Sequence, residues 1–308
     1  MRNLNESIIE TNSLSKIYKG RAAVNQLDLK IARGDIYGFL GPNGAGKTTT
    51  IRMLLGLIRP TRGTIRIFGK DIRRHRLDIL RKVGSLVEYP SYYGHLNAVE
   101  NLEAIRRILN VPKENIAEVL EVVRLTKHAK RPVKGYSLGM KQRLGIAAAL
   151  LGNPEVLILD EPTNGLDPEG IQEMRELIQA MPKQRGITVL VSSHLLSEVE
   201  HMANTVGIIR EGQLVFQNTI HNLRQESAGG IRIVVSEPEA AQLIAREQGY
   251  HSVKDGSALD FDNMNDAAVA LLVRRLVENT HAVYRVEERR KSLEDMFMQV
   301  VGKGGGSL

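Results

Sequence analysis

The sequence has no cysteine and no tryptophan, and aromatic residues fill only 4% of its 308 positions. The first absence excludes disulfides, thiolate catalysis and cysteine-ligated metals. The scarcity of aromatics argues against a surface that reads RNA by stacking on bases. No apolar run is long enough to span a bilayer, and the polar start MRNLNESIIETNS lacks the basic and apolar regions of a signal peptide, so a cytosolic chain is expected. A strong excess of one charge is also missing from the second part: residues 1–220 hold 31 basic and 22 acidic side chains, the remainder 11 and 13. The cations are scattered, and Arg73, Arg74, His75 and Arg76 read as a solvated face, so no nucleic-acid partner is expected. An apolar share of 42% and a charged share of 25% are ordinary for a globular protein, and the length suffices for one large domain and a smaller appendage.

What the sequence does contain is the loop Gly41, Pro42, Asn43, Gly44, Ala45, Gly46, Lys47, Thr48. Glycines let backbone N–H groups turn inward around phosphate oxygens, where a Cβ would block the approach. Lys47 is placed to reach the β and γ phosphates and the Thr48 hydroxyl to hold Mg²⁺. The context agrees: residues 35–40 read as a strand, and 48–58 as a helix that stops before Pro60 and aims its dipole at the phosphates.

Strands are expected at 8–14 and 24–31, in an antiparallel sheet, and at 64–68 and 83–87. From 98 to about 151 the apolar spacing is helical. An α/β alternation follows: strand 156–160, helix 169–180, strand 188–192, helix 195–202, then a hairpin of 206–210 and 213–216 around Glu211-Gly212. The domain reading is 1–222 for the main domain, with a helical subdomain near 90–150, then a linker at 223–229, a small α+β domain at 230–302 and a flexible tail at 303–308. The α+β domain carries no cluster of catalytic residue types and reads as a structural cap rather than a ligand-sensing module.

Asp160 ends an apolar strand, where its carboxylate suits Mg²⁺, and Glu161 beside it is placed to orient water against a γ-phosphate, the main task left to a protein in phosphoryl transfer. With the loop at 41–48, this pair points to an NTPase.

The segment between them separates NTPase families. Tyr136-Ser137-Leu138-Gly139-Met140-Lys141-Gln142-Arg143 resembles the signature motif of ATP-binding cassette (ABC) proteins, and the resemblance continues through Asp160-Glu161-Pro162-Thr163-Asn164-Gly165-Leu166-Asp167 and Ser193-His194. It covers about the first 220 residues. It implies a P-loop NTPase fold of mixed α/β core plus helical subdomain, with ATP and Mg²⁺ as ligands. By the same resemblance Tyr18 matches the residue that stacks on adenine, and residues 41–48 with Thr49 hold the phosphates. Ser137 and Gly139 match residues that contact the γ-phosphate held by another subunit, Asp167 a subunit-contacting aspartate, and His194 a histidine that touches the γ-phosphate. Glu161, His194 and Lys47 are therefore the catalytic expectation, and Thr48, Glu88 and Asp160 the metal one. Because one cassette carries a half of each of two composite sites, the resemblance implies a homodimer or pairing with a second cassette, attached through integral membrane subunits at the cytoplasmic face.

Two departures narrow the resemblance. Glu88 stands where most cassettes have glutamine, and Leu138 where they have glycine. With Ser91, Tyr92, Tyr93 and the run NGLDPEGIQEMREL, these look like the group that serves bacitracin resistance and lantibiotic self-protection, which implies export of a peptide antibiotic. An ionised Glu88 only accepts hydrogen bonds, so it either ligates Mg²⁺ or points to solvent. Leu138 either crowds the phosphate approach or faces the partner subunit. Tyr89, Tyr92 and Tyr93 either dock a helix of the membrane subunit or pack on the helical region. Two other functions stay open at this point: an antibiotic-sensing complex, and a soluble ABC ATPase acting on nucleic acid or ribosomes.

Overall fold

The computed structural model describes residues 7–87, 91–222, 228–262 and 264–290. Contacts divide the chain into two units, Met1–Ile220 and His221–Leu308.

In the first unit, β1 (Ser7–Tyr18), β2 (Arg21–Leu27), β3 (Lys30–Ala32), β5 (Arg62–Ile67) and β6 (Lys70–Asp71) form an antiparallel sheet in which β1 pairs with β2, β3 and β5. The single strand expected at 24–31 is thus two, interrupted at Asp28-Leu29, whose flanks pair with different stretches of β1. A second, six-stranded sheet has the order β11-β10-β4-β9-β8-β7, made of β4 (Ile36–Leu40), β7 (Val83–Leu86), β8 (Val156–Asp160), β9 (Thr188–Ser193), β10 (Thr205–Arg210) and β11 (Gln213–Thr219). The inner strands β4, β8 and β9 are parallel and buried throughout, as expected of a sheet covered on both faces. Alternation along β8 shows the two faces: Leu157 and Leu159 join the cluster of the helical region, Val156 and Ile158 the cluster beneath the antiparallel sheet.

The helices are α1 (Lys47–Leu54), α2 (Ile72–Leu80), α3 (Ala98–Leu109), α4 (Glu114–Val122), α5 (Leu138–Leu150), α6 (Pro168–Arg185) and α7 (Leu196–Glu200). Helix α1 ends four residues earlier than its apolar pattern predicts. A Schellman closure stops it: Gly56, at φ 63°, donates to Met53 O and Leu57 to Arg52 O. Helix α2 escapes a reading by periodicity because only Ile72 and Ile79 are buried; Arg73, Arg74, His75 and Arg76 are exposed, as a solvated face should be. Helix α6 runs past the expected end at 180 and through Pro182, held by burial of Met174, Ile178 and Met181.

The second unit has strands β12 (Ala228–Val235), β13 (Ser252–Asp255), β14 (Ala258–Asp262) and β15 (Val283–Arg290) in an antiparallel sheet ordered β13-β14-β12-β15, with helices α8 (Pro238–Glu247) and α9 (Asp266–Glu278). This is the split βαβ topology. Ile233, Val235, Leu259, Phe261, Leu272 and Leu276 form its core. β12 begins at Ala228, so the expected linker at 223–229 loses its last two residues to the sheet. β13 carries no buried residue and so leaves no alternation to read. The tail at 303–308 lies outside the described residues.

Candidate functional site

The phosphate loop joins the buried end of β4 to α1. Gly46 stands at φ 109° as the N-cap of α1 and offers no capping side chain, so the first N–H groups of the helix stay free for an anion. A Cβ on Gly41 would lie 2.4 Å from Ile209 O, and one on Gly46 2.5 Å from Ala23 O, so neighbouring backbone closes around the loop from two sides. Pro42, Asn43 and Gly44 are exposed at its crest, while Ala45 and Lys47 are buried. Lys47 folds back across the loop and donates to Gly41 O at 2.6 Å.

The parallel sheet brings the rest to the same place. β8 ends at Asp160, whose Oδ2 accepts from Thr48 Oγ1 at 2.8 Å and whose Oδ1 accepts from Ser192 Oγ at 2.6 Å. Glu161 reaches Lys47 Nζ with one oxygen at 3.2 Å and His194 Nδ1 with the other at 2.8 Å. A carboxylate only accepts, so the imidazole donates this bond through Nδ1. Glu161 has φ 50°, a conformation that a residue with a side chain keeps only when its surroundings fix it. Its N–H is held by Ser192 Oγ at 2.9 Å. Ser192 is not among the expected site residues; its signal is a hydroxyl at the C-terminal end of a buried strand that pairs with the Asp160 strand.

The residues matched to the other half-site gather elsewhere in the unit. Ser137 caps α5, accepting from Met140 N at 3.2 Å, and Asp167 caps α6, accepting from Gly170 N at 3.0 Å. With Leu138, Gly139 and Gly165 they line an open recess of about 430 Å³. Leu138 Cδ2 lies 3.2 Å from where a Cβ on Gly165 would stand, so it leans on the turn before Asp167 in its own chain. Tyr18 is the last residue of β1, beside the tight turn Lys19-Gly20, and is 46% exposed. Tyr92 is largely buried and donates to Lys141 O in α5 at 2.8 Å; burial pushes its phenol up from the ordinary value. Tyr93 keeps its ring 63% exposed while Asn101 holds its backbone. Glu88 and Tyr89 lie outside the described residues; β7, which leads to them, runs parallel to β8.

Residues 24–164 match the sequence model of a family described as ABC transporter. The chain is 45% identical over 303 residues to the bacitracin transport ATP-binding protein BcrA of Bacillus licheniformis, covering 97% of this chain and 98% of that protein. The chain belongs to the ABC transporter family. It is also 45% identical over 210 residues to the lantibiotic transport ATP-binding protein SrtF of Streptococcus pyogenes, covering 68% of this chain and 90% of that protein. A solved structure of the ATP-binding subunit of an ABC transporter is similar with a TM-score of 0.63 and 28% identity, covering 71% of this chain and 93% of that one. The chain is thus an ABC ATPase that binds nucleotide and whose turnover is coupled to transport. No helix among the described residues is long and apolar enough to cross a membrane.

Proposed function

We propose that this chain is the ATP-hydrolysing subunit of an exporter for a peptide antibiotic, acting at the cytoplasmic face through separate integral membrane subunits. The bacitracin relative supports a bacitracin-type cargo: its match spans 303 residues and so reaches into the second unit, whereas the lantibiotic match spans 210. The second unit itself is read as a structural cap, with the domain limits given above. The exposed ring of Tyr93 favours it over Tyr92 as an anchor for a helix of the membrane subunit.

The observation that carries the catalytic reading is the bridge from Lys47 through Glu161 to His194, built across the ends of α1, β8 and β9. Phosphates entering the loop compete for Lys47 Nζ and draw it from Glu161. The released carboxylate then accepts the proton of a water aimed at the γ-phosphate, and His194, oriented by its Nδ1 bond, meets the phosphate with its other nitrogen. Thr48 and Asp160 present a hydroxyl and a carboxylate 2.8 Å apart, an oxygen pair suited to Mg²⁺, with Glu88 as the proposed third ligand. When bound, Mg²⁺ offsets charge on the phosphate oxygens. Tyr18 stacks on adenine. Ser137, Gly139 and Asp167 serve the ATP of a second subunit, so two nucleotides close a dimer of this chain, or of this chain with another cassette, and hydrolysis lets it part.

Glu161→Gln tests the reading. With the membrane subunits present, turnover should fall by about a hundredfold or more while ATP still binds and holds the dimer closed, as seen by size-exclusion chromatography. Wild-type turnover would sink the assignment.

A further inference from the structure

Behind the Glu161–His194 pair lies a buried carboxylate that the foregoing reading does not use. Glu198, in α7, is 5% exposed, and its Oε2 accepts from both the Thr163 hydroxyl, at 2.6 Å, and the Ser193 hydroxyl, at 2.9 Å. Thr163 is 3% exposed and stands two residues after Glu161; Ser193 is 1% exposed and immediately precedes His194. Ser193 Oγ also accepts from Leu195 N at 3.0 Å, so the backbone on both sides of His194 is tied to the same point. Each hydroxyl has one proton, and the shared acceptor fixes where both point.

Two segments separated by the whole of α6 thereby meet on one oxygen atom. One carries Glu161 at its unfavourable φ of 50°, the other carries His194, and these two side chains touch 2.8 Å apart. α7 reaches this depth because β4 has no side chain at Gly38, where a Cβ would lie 2.0 Å from Val199 Cγ1. In such a low-dielectric position, hydrogen bonds are strong and a lost acceptor leaves two hydroxyls unsatisfied.

We propose that Glu198 is a positioning residue for ATP hydrolysis, holding the turn after Glu161 and the residue before His194 in one register through Thr163 and Ser193. The proposal rests on the catalytic reading of Glu161 and His194 given above. It separates binding from turnover, because Lys47, Thr48 and the loop make no bond to this network among the described residues.

The experiment uses the transporter assembled with its membrane subunits and compares Glu198→Met, which keeps the length and removes both acceptor oxygens, with Glu198→Gln, which keeps one. Glu198→Met should lower kcat by about tenfold or more with KM for ATP changed by less than about twofold, and Glu198→Gln should regain most of the loss. Thr163→Val should cost clearly less in the Glu198→Met background than in the wild type, since both remove the same bond. The proposal is overturned if Glu198→Met keeps kcat, if Glu198→Gln rescues nothing, or if Thr163→Val costs the same in both backgrounds. Unchanged turnover in Glu198→Met with a dead Glu161→Gln defeats this inference alone; turnover surviving in Glu161→Gln defeats the reading beneath it.

Discussion

On the loop side of the cassette, Lys47, Thr48, Asp160, Glu161, Ser192 and His194 already hold one another, at distances of 2.6 to 3.2 Å. On the signature side, Ser137 and Asp167 each serve only as the cap of their own helix, around a recess open to solvent. Among the described residues no hydrogen bond or ion pair joins the two groups. Both sides offer helix N-termini, which suit anions. Only one is organised to do chemistry with them. The loop side is completed by strand ends that the parallel sheet brings together, whereas the signature side, on the proposed reading, is completed by the phosphate of a second subunit.

Gly139→Asp probes that difference with the larger effect. A Cβ on Gly139 meets only Leu166 Cδ2, at 3.8 Å, so the chain itself has room for a side chain there. The thermal midpoint should therefore stay close to that of the wild type while ATP turnover falls by about tenfold or more, through a carboxylate set against the other subunit's phosphate. Equal loss of stability and turnover would mean that the residue works within its own chain.

Glu155→Gln is the smaller, complementary test, since Glu155 stands just before β8, away from both sides. Hydrogen bonds from Lys82, at 2.7 Å, and Arg33, at 2.9 Å, hold its carboxyl below the ordinary value of 4.5. A depressed folded-state pKa gives stability that is present above 4.5 and lost as pH falls through the lowered value. The variant should thus be less stable than the wild type at neutral pH by about 1 kcal/mol or less, with the gap closing in acid, and ATP affinity unmoved. A gap that persisted at low pH would remove the ion pairs from the explanation.

Much of this was legible in the sequence, and for unequal reasons. Residues 41–48 and Asp160-Glu161 stand out in the sequence because short-range chemistry dictates them: glycines where backbone must approach, a carboxylate where an apolar strand ends. The buried strand at 156–160 and the fold of the first unit follow from the same patterns. Helix α2 and strand β13 escaped because each buries two residues or none, so no period appears. The Thr163–Glu198–Ser193 network escaped because its members lie 5 and 35 residues apart along the chain, and only the packing of α7 on β4 brings them together. The contact of Leu138 with Gly165 is not legible either, because it depends on where α6 begins.

Mixing two defective chains tests whether each chain carries a half of two nucleotide sites. Lys47→Ala breaks the loop and Gly139→Asp the signature side, so a homodimer of either has two damaged sites. A mixed dimer has one site with both defects and one with none. With the membrane subunits present, each variant alone should be nearly inactive, and an equimolar mixture should recover about a quarter of wild-type ATP turnover, as random pairing requires. A mixture no more active than its components would mean that each site is built within a single chain.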